Sequence, residues 1–217
     1  MNEIITRFAI GAPGFLVAIV FHEWSHAFMA KRFGDNTAEG LGRLTLNPVA
    51  HLDIFGTIIF PLICVFFGST PFGWAKPVPI NAARFKKVRP GIFWVSFAGP
   101  MMNLFLGTFF SFILVMTYKY LSHDLSLFEP LLKILQSAVV INFILAVFNL
   151  IPIPPLDGSQ MVTSFLSYEG MKRYEVVARL GPFIFLIFLL TNIGEYILRP
   201  AMWMSNGMIQ MFSFLLT

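Results

Sequence analysis

Residues 8–29 read FAIGAPGFLVAIVFHEWSHAFM. A helix needs about 20 mostly apolar residues to cross the hydrocarbon core of a bilayer, and this run supplies them. It lacks a basic leader and a clear small-residue cleavage site, so it reads as a retained span and not as a signal peptide. Inside it stand His22, Glu23, Ser25 and His26. Ionisable side chains are expensive in lipid and mark functional positions there. Residues four apart share a helical face, so His22 and His26 can present ring nitrogens to one ion, and Glu23 can reach a water bound to that ion. The plainer alternative is a pair of polar histidines packed against other helices; the membrane setting favours the metal.

The rest of the chain has the same character. Of its 217 residues 57% are hydrophobic and 12% charged, where soluble domains carry about a quarter charged residues. Mean hydropathy is +0.75. These values exclude a disordered chain, a disulfide scaffold and a water-soluble globule, and a net charge of +4 is too small for a nucleic-acid binder. The single cysteine, Cys64, permits no intramolecular disulfide and reads as an apolar filler. Further apolar runs lie at 92–118, 131–150 and 176–198, with shorter ones at 54–67 and 201–216. The expected fold is an all-α polytopic membrane protein of about five to six transmembrane helices. One membrane-embedded domain spans 1–217, with a catalytic core at 8–158 and accessory helices at 176–216 that are candidates for a lateral gate.

Residues 70–90 depart from this pattern. Pro71, Pro77 and Pro79 exclude a stable helix, and Val78 and Ile80 fall on the strand period of two. The stretch is expected to be a membrane-associated extended strand or hairpin, with Arg84, Lys86, Lys87 and Arg89 at its basic end.

Two histidines make an incomplete catalytic site, since catalytic zinc usually takes three protein ligands and a water. Asp157 is a candidate: it follows the 131–150 span, beside the run Pro152, Pro154, Pro155 that denies the helix its donors. An aspartate before glycine is also a common turn. His51 and Asp53 are rivals one loop beyond the histidine helix, and His123 reads as a solvated loop residue.

Five blocks in register carry a resemblance: HEWSH at 22–26, NPVAHLDIFGT at 47–57, GWAKPVPIN at 73–81, AGPMMN at 98–103 and NLIPIPPLDG at 149–158. The chain resembles the site-2 protease family of intramembrane zinc metalloproteases, in a short form without a PDZ domain. The resemblance implies that His22, His26 and Asp157 hold one zinc ion, that Glu23 activates water, and that Asn149 positions the substrate or stabilises its oxyanion. Ile54 departs from the pattern, which has proline there. The small, undecorated form implies a prokaryotic source and, with it, the inner membrane.

Topology constrains the site separately. Ligands near the end of the first span and just after the 131–150 span meet at one depth only if an even number of crossings separates them. That requires 54–67 to re-enter and return. One side then carries Lys31, Arg32, Arg43, Lys76, Arg84, Lys86, Lys87, Arg89, Lys172, Arg173 and Arg179, and the other only Arg7, Lys119, Lys133 and Arg199. The positive-inside rule places the larger set, and the metal, toward the cytosol. Lys172, Arg173 and Arg179 are expected to attract anionic lipid.

The expected partner is the transmembrane helix of a membrane-protein substrate. Its carbonyls are hydrogen-bonded within their own turns, so it must unwind locally, and residues 73–81 could hold it by β-augmentation through Val78 and Ile80. Trp74 belongs to the same stretch, or anchors it at the membrane interface. Asn103 is a second candidate for contacting the substrate, or else joins two helices. A competing function is a metal transporter using the same three residues as a transit site. The oligomeric state is not written in the sequence.

Overall fold

The computed structural model describes residues 2–66, 73–190 and 193–216. Among them the chain is helical, with no β-strand. α1 is Asn2–Phe33, followed by the short α2 (Thr37–Gly40) and α3 (Pro48–His51). A π-helical turn at Ile54–Ile59 runs into α4, Phe60–Phe66. After the extended residues 73–81 and a 3-10 turn at Ala82–Arg84 come α5 (Val88–Tyr120) and α6 (Phe128–Asn149). α7 is Asp157–Thr163, α8 Tyr168–Leu190 and α9 Ile193–Leu215.

Three of these helices, α1, α5 and α6, are long and apolar enough to cross a membrane. They pack on one another as a three-helix core, with α9 laid against α5 and α6. The polarity of the packing is that of a membrane protein. Asn103, Ser111 and Asn142 are fully buried among the helices, while Phe105, Trp203 and Phe214 are 62%, 80% and 81% exposed. Large apolar side chains on the outside are stable only against lipid. Close helix approach needs small residues: a Cβ on Gly14 of α1 would lie 2.7 Å from the Ala138 Cα of α6.

The structure bears on the expected layout in three places. Within the run at 54–67, the described residues 54–66 are a 6-residue π-helical turn plus a 7-residue helix. At 1.5 Å per residue that is about 20 Å of helix, short of the roughly 30 Å hydrocarbon core. The apolar runs at 176–198 and 201–216 are divided elsewhere: α8 ends at Leu190, and α9 starts at Ile193 and runs through Pro200. The expected strand or hairpin at 70–90 is not a strand among the described residues; 73–81 is extended without a ladder partner. Pro77 and Pro79 have no N–H, and side-chain and loop acceptors take those of Trp74, Lys76, Val78 and Asn81. The Cys64 side chain lies outside the described residues.

Candidate metal centre

His22 and His26 project from one face of α1, and their Nε2 atoms lie 3.0 Å apart. Both rings are buried. Asp157 reaches them because the chain after α6 folds through tight turns, with Ile151 N–H donating to Phe148 O and Leu156 N–H to Ile153 O. The first residue of α7 is thereby set beside the rings: Asp157 Oδ2 is 3.1 Å from His22 Nε2 and 3.3 Å from His26 Nε2.

The outer nitrogen of each ring fixes its tautomer. Asn103 Nδ2 donates to Ala18 O at 3.1 Å and to Asn142 Oδ1 at 3.0 Å. Its Oδ1 is therefore the atom that faces His22 Nδ1, at 2.6 Å, and this nitrogen carries the proton. His26 Nδ1 lies 2.6 Å from Val95 O, which can only accept. Both Nε2 atoms consequently hold lone pairs, and they point at a carboxylate oxygen that is itself buried without a hydrogen-bond donor. Three mutually facing acceptors repel one another unless a cation stands among them. Tetrahedral zinc with bonds of about 2.0–2.1 Å to nitrogen and oxygen spaces its ligand atoms about 3.3 Å apart, which the observed triangle approaches. The donor set fits zinc.

α5 closes one side of the cluster. Pro100 leaves the Ser96 carbonyl without its intrahelical donor, and Gly99 lets the helix backbone approach the rings. A Cβ on Gly99 would collide with His26 Nε2 and lie 2.6 Å from His22 Cε1 and Nε2.

Glu23 faces the extended segment: its Oε2 accepts the Val78 N–H at 2.7 Å. Two cavities adjoin it. One, of about 280 Å³, is largely apolar and is lined by Ile19, Gly73, Trp74, Leu145 and Phe148. The other, of about 470 Å³, has Ile80, Ser96, Asp157 and Gln160 in its wall. His22, Glu23, Asn149 and Pro155 line both. Asn149 also donates to Leu145 O at 3.0 Å.

The other expected residues separate from this group. Asn103 is fully buried behind His22, contacts its ring and lines neither cavity. Trp74 and Ile80 line one cavity each, whereas the Val78 N–H expected to pair with a substrate strand is taken by Glu23. His51 is fully buried with Nε2 2.7 Å from Thr45 O, and Asp53 caps the π-helical turn by accepting the Gly56 N–H. His123 is an exposed loop residue next to Tyr118 O. Among the described residues, His22, His26 and Asp157 form the one cluster with metal-ligand geometry. Asn142 escaped the sequence reading, although an amide within an apolar span was the signal that pointed to it.

Residues 116–191 match the model of peptidase family M50. The chain is 39% identical over 188 residues to YwhC of Bacillus subtilis, named as a zinc metalloprotease, covering 86% of this chain and 83% of that one. Rip2 of Mycolicibacterium smegmatis, similarly named, is 30% identical over 187 residues, or 85% of this chain and 68% of Rip2. The zinc metalloprotease MJ0392 of Methanocaldococcus jannaschii is 25% identical over 176 residues, 80% of this chain and 40% of its own length. No solved structure matches. With its buried cluster of two histidines and an aspartate, its apolar crossing helices and these relatives, the chain belongs to peptidase family M50, the site-2 protease family, as a membrane zinc metalloprotease.

Proposed function

We propose that the protein is an intramembrane endopeptidase that hydrolyses peptide bonds in or near the transmembrane segments of membrane-anchored proteins. His22, His26 and Asp157 would hold the zinc ion, and Glu23 is the general base and then the general acid. The observation that carries this reading is the position of Glu23, beside His22 in the wall shared by two cavities. A peptide lying across that wall has space on either side of the bond to be cut.

When bound, zinc supplies a Lewis acid and an acidified water. The chain's own groups do the rest. Val78 N–H holds Glu23 Oε2, which turns the carboxylate to the cavities and leaves Oε1 to take the proton of the attacking water and pass one to the leaving amine. Asn149 offers an amide donor to the developing oxyanion. Buried Asn103 and the Val95 carbonyl keep the imidazoles in the ligating tautomer.

The substrate must arrive unwound. On the extended segment the N–H groups of Trp74 and Lys76 are held by Gly56 O and His51 O, and Pro77 and Pro79 have none. Among the described residues, the edge left for a substrate strand is that of Gly73 and Ala75, while Trp74 and Ile80 contribute side-chain contacts in the two cavities. The basic bias of the loops on the metal's side favours a cytosolic face, and the bacterial and archaeal relatives favour a prokaryotic membrane. A conduction path for metal would need ligands at several depths, and one such cluster is present among the described residues.

The test is the Glu23→Gln variant in detergent micelles with a labelled single-span peptide. Zinc content equal to wild type with cleavage slowed about 100-fold or more supports the reading; wild-type turnover overturns it.

A further inference from the structure

Asp35 lies just beyond α1, is 1% exposed, and belongs neither to the metal cluster nor to either cavity wall. Burying a carboxylate is costly unless its oxygens are bonded, and both are. Oδ2 accepts the Asn81 N–H at 2.6 Å; Oδ1 accepts the Thr37 N–H at 3.0 Å and the Thr37 hydroxyl. The junction is reinforced by Lys86 N–H on Phe33 O and by Asp35 N–H on Ala30 O. A buried anion is thus spent on tying the end of the histidine helix to the end of the extended segment.

The other end of that segment is tied too. Trp74 N–H is on Gly56 O, Lys76 N–H on His51 O, and Arg43 donates to the Lys76 carbonyl at 2.7 Å. Between the ties sits Val78, flanked by Pro77 and Pro79, so its amide is the one backbone donor between Lys76 and Ile80. Its side chain is buried against Ala27 and Ala38, and Ala27 stands one helical turn beyond Glu23. The chain is therefore stretched over α1 with the Val78 amide brought onto the Glu23 carboxylate.

We infer that Asp35 is a positioning residue for catalysis: through the Asn81 amide it holds residues 77–81 in the place where the Val78 N–H fixes Glu23. Loss of the tie frees one end of the segment, the amide withdraws, and the carboxylate loses its single orientation. The metal ligands, two on α1 with their rings fixed from α5 and one on α7, are unaffected. Substrate affinity changes where Pro77, Val78 and Ile80 line one cavity, while the other, lined by Gly73, Trp74 and Ala75 on the far side of the tie at Lys76, keeps its walls. The inference rests on Glu23 being the general base.

The experiment is a double-mutant cycle of Asp35→Asn and Val78→Pro, with kcat and KM measured on a labelled single-span Leu/Ala peptide carrying a Gly-Pro step, and zinc content determined alongside. Position 78 already precedes a proline and lies in extended chain, so proline is tolerated there. Each single variant is expected to lower kcat about tenfold, more than it raises KM, with zinc unchanged. The double variant is expected to be no slower than the slower single one, because both act through the same amide. Multiplying losses, wild-type kcat in Asp35→Asn, or zinc lost together with activity would overturn the role. Should Asp35→Asn not fold, Thr37→Val, which removes one donor to the carboxylate, stands in its place, with a kcat loss of about two- to threefold that vanishes in the Val78→Pro background. A wild-type protein that binds zinc and cleaves no better than Glu23→Gln would count against proteolysis itself; a cleaving wild type with an unaffected Asp35→Asn counts only against Asp35.

Discussion

Asn103 Oδ1 and His22 Nδ1 are 2.6 Å apart in the buried core where α5 meets α1. The amide is immobilised from two sides, by Ala18 O on α1 and by Asn142 on α6, so three helices set the orientation of one imidazole. Partners of this kind are worth about 10–100-fold in metal affinity. Asn103→Ala is predicted to weaken zinc binding by about that factor with the helical content unchanged, measured by competition with a chelator. Asn142→Ala should have a smaller effect in the same direction, since it acts one bond further out.

Gly99 gives a sharper steric prediction. Its α-hydrogen faces the two rings, and any Cβ lands on them. Gly99→Ala should therefore release zinc or displace a histidine, whereas Ala98→Gly, one residue away, should leave metal content at the wild-type level. Metal analysis of the two purified variants compares them directly.

The acid behaviour of Asp35 follows from its partners. Burial pushes its carboxyl up, but the Asn81 amide, the Thr37 hydroxyl and amide, and Arg84 together hold it below its ordinary value. A group depressed on folding contributes stability that is present above the unfolded pKa and lost as pH falls through the folded one. Asp35→Asn is predicted to melt below wild type at pH 7, and the gap between the two should narrow as pH is lowered below about 4. A gap that stays constant with pH would mean that the charge of Asp35 is not what holds the junction.

Much of this site was legible before any coordinates. Two histidines at helical spacing in an apolar run, and an aspartate behind a proline-rich turn, carry their chemistry in residue type and order. What the chain order concealed was depth and partnership. Asn103 was visible as an amide in an apolar span, yet nothing local tells that it faces a ring and not a cavity. The prolines at 77 and 79 announced extended chain; the acceptors that hold it, Gly56 O, His51 O and Glu23, are 18, 25 and 55 residues from their donors along the chain. The apolar runs end at 198 and begin again at 201, yet α9 runs across that gap and accommodates Pro200, as apolar helices packed on neighbours often do.

The central claim is that two imidazoles and one distant carboxylate hold a single zinc ion. Zinc stoichiometry of the purified protein beside His26→Ala and Asp157→Ala tests it most directly. The account predicts one zinc per chain in the wild type and loss of bound zinc in both variants, with the helical content retained. Full zinc occupancy in Asp157→Ala would contradict it, because the ion would then be held without the residue that α7 brings to the histidines.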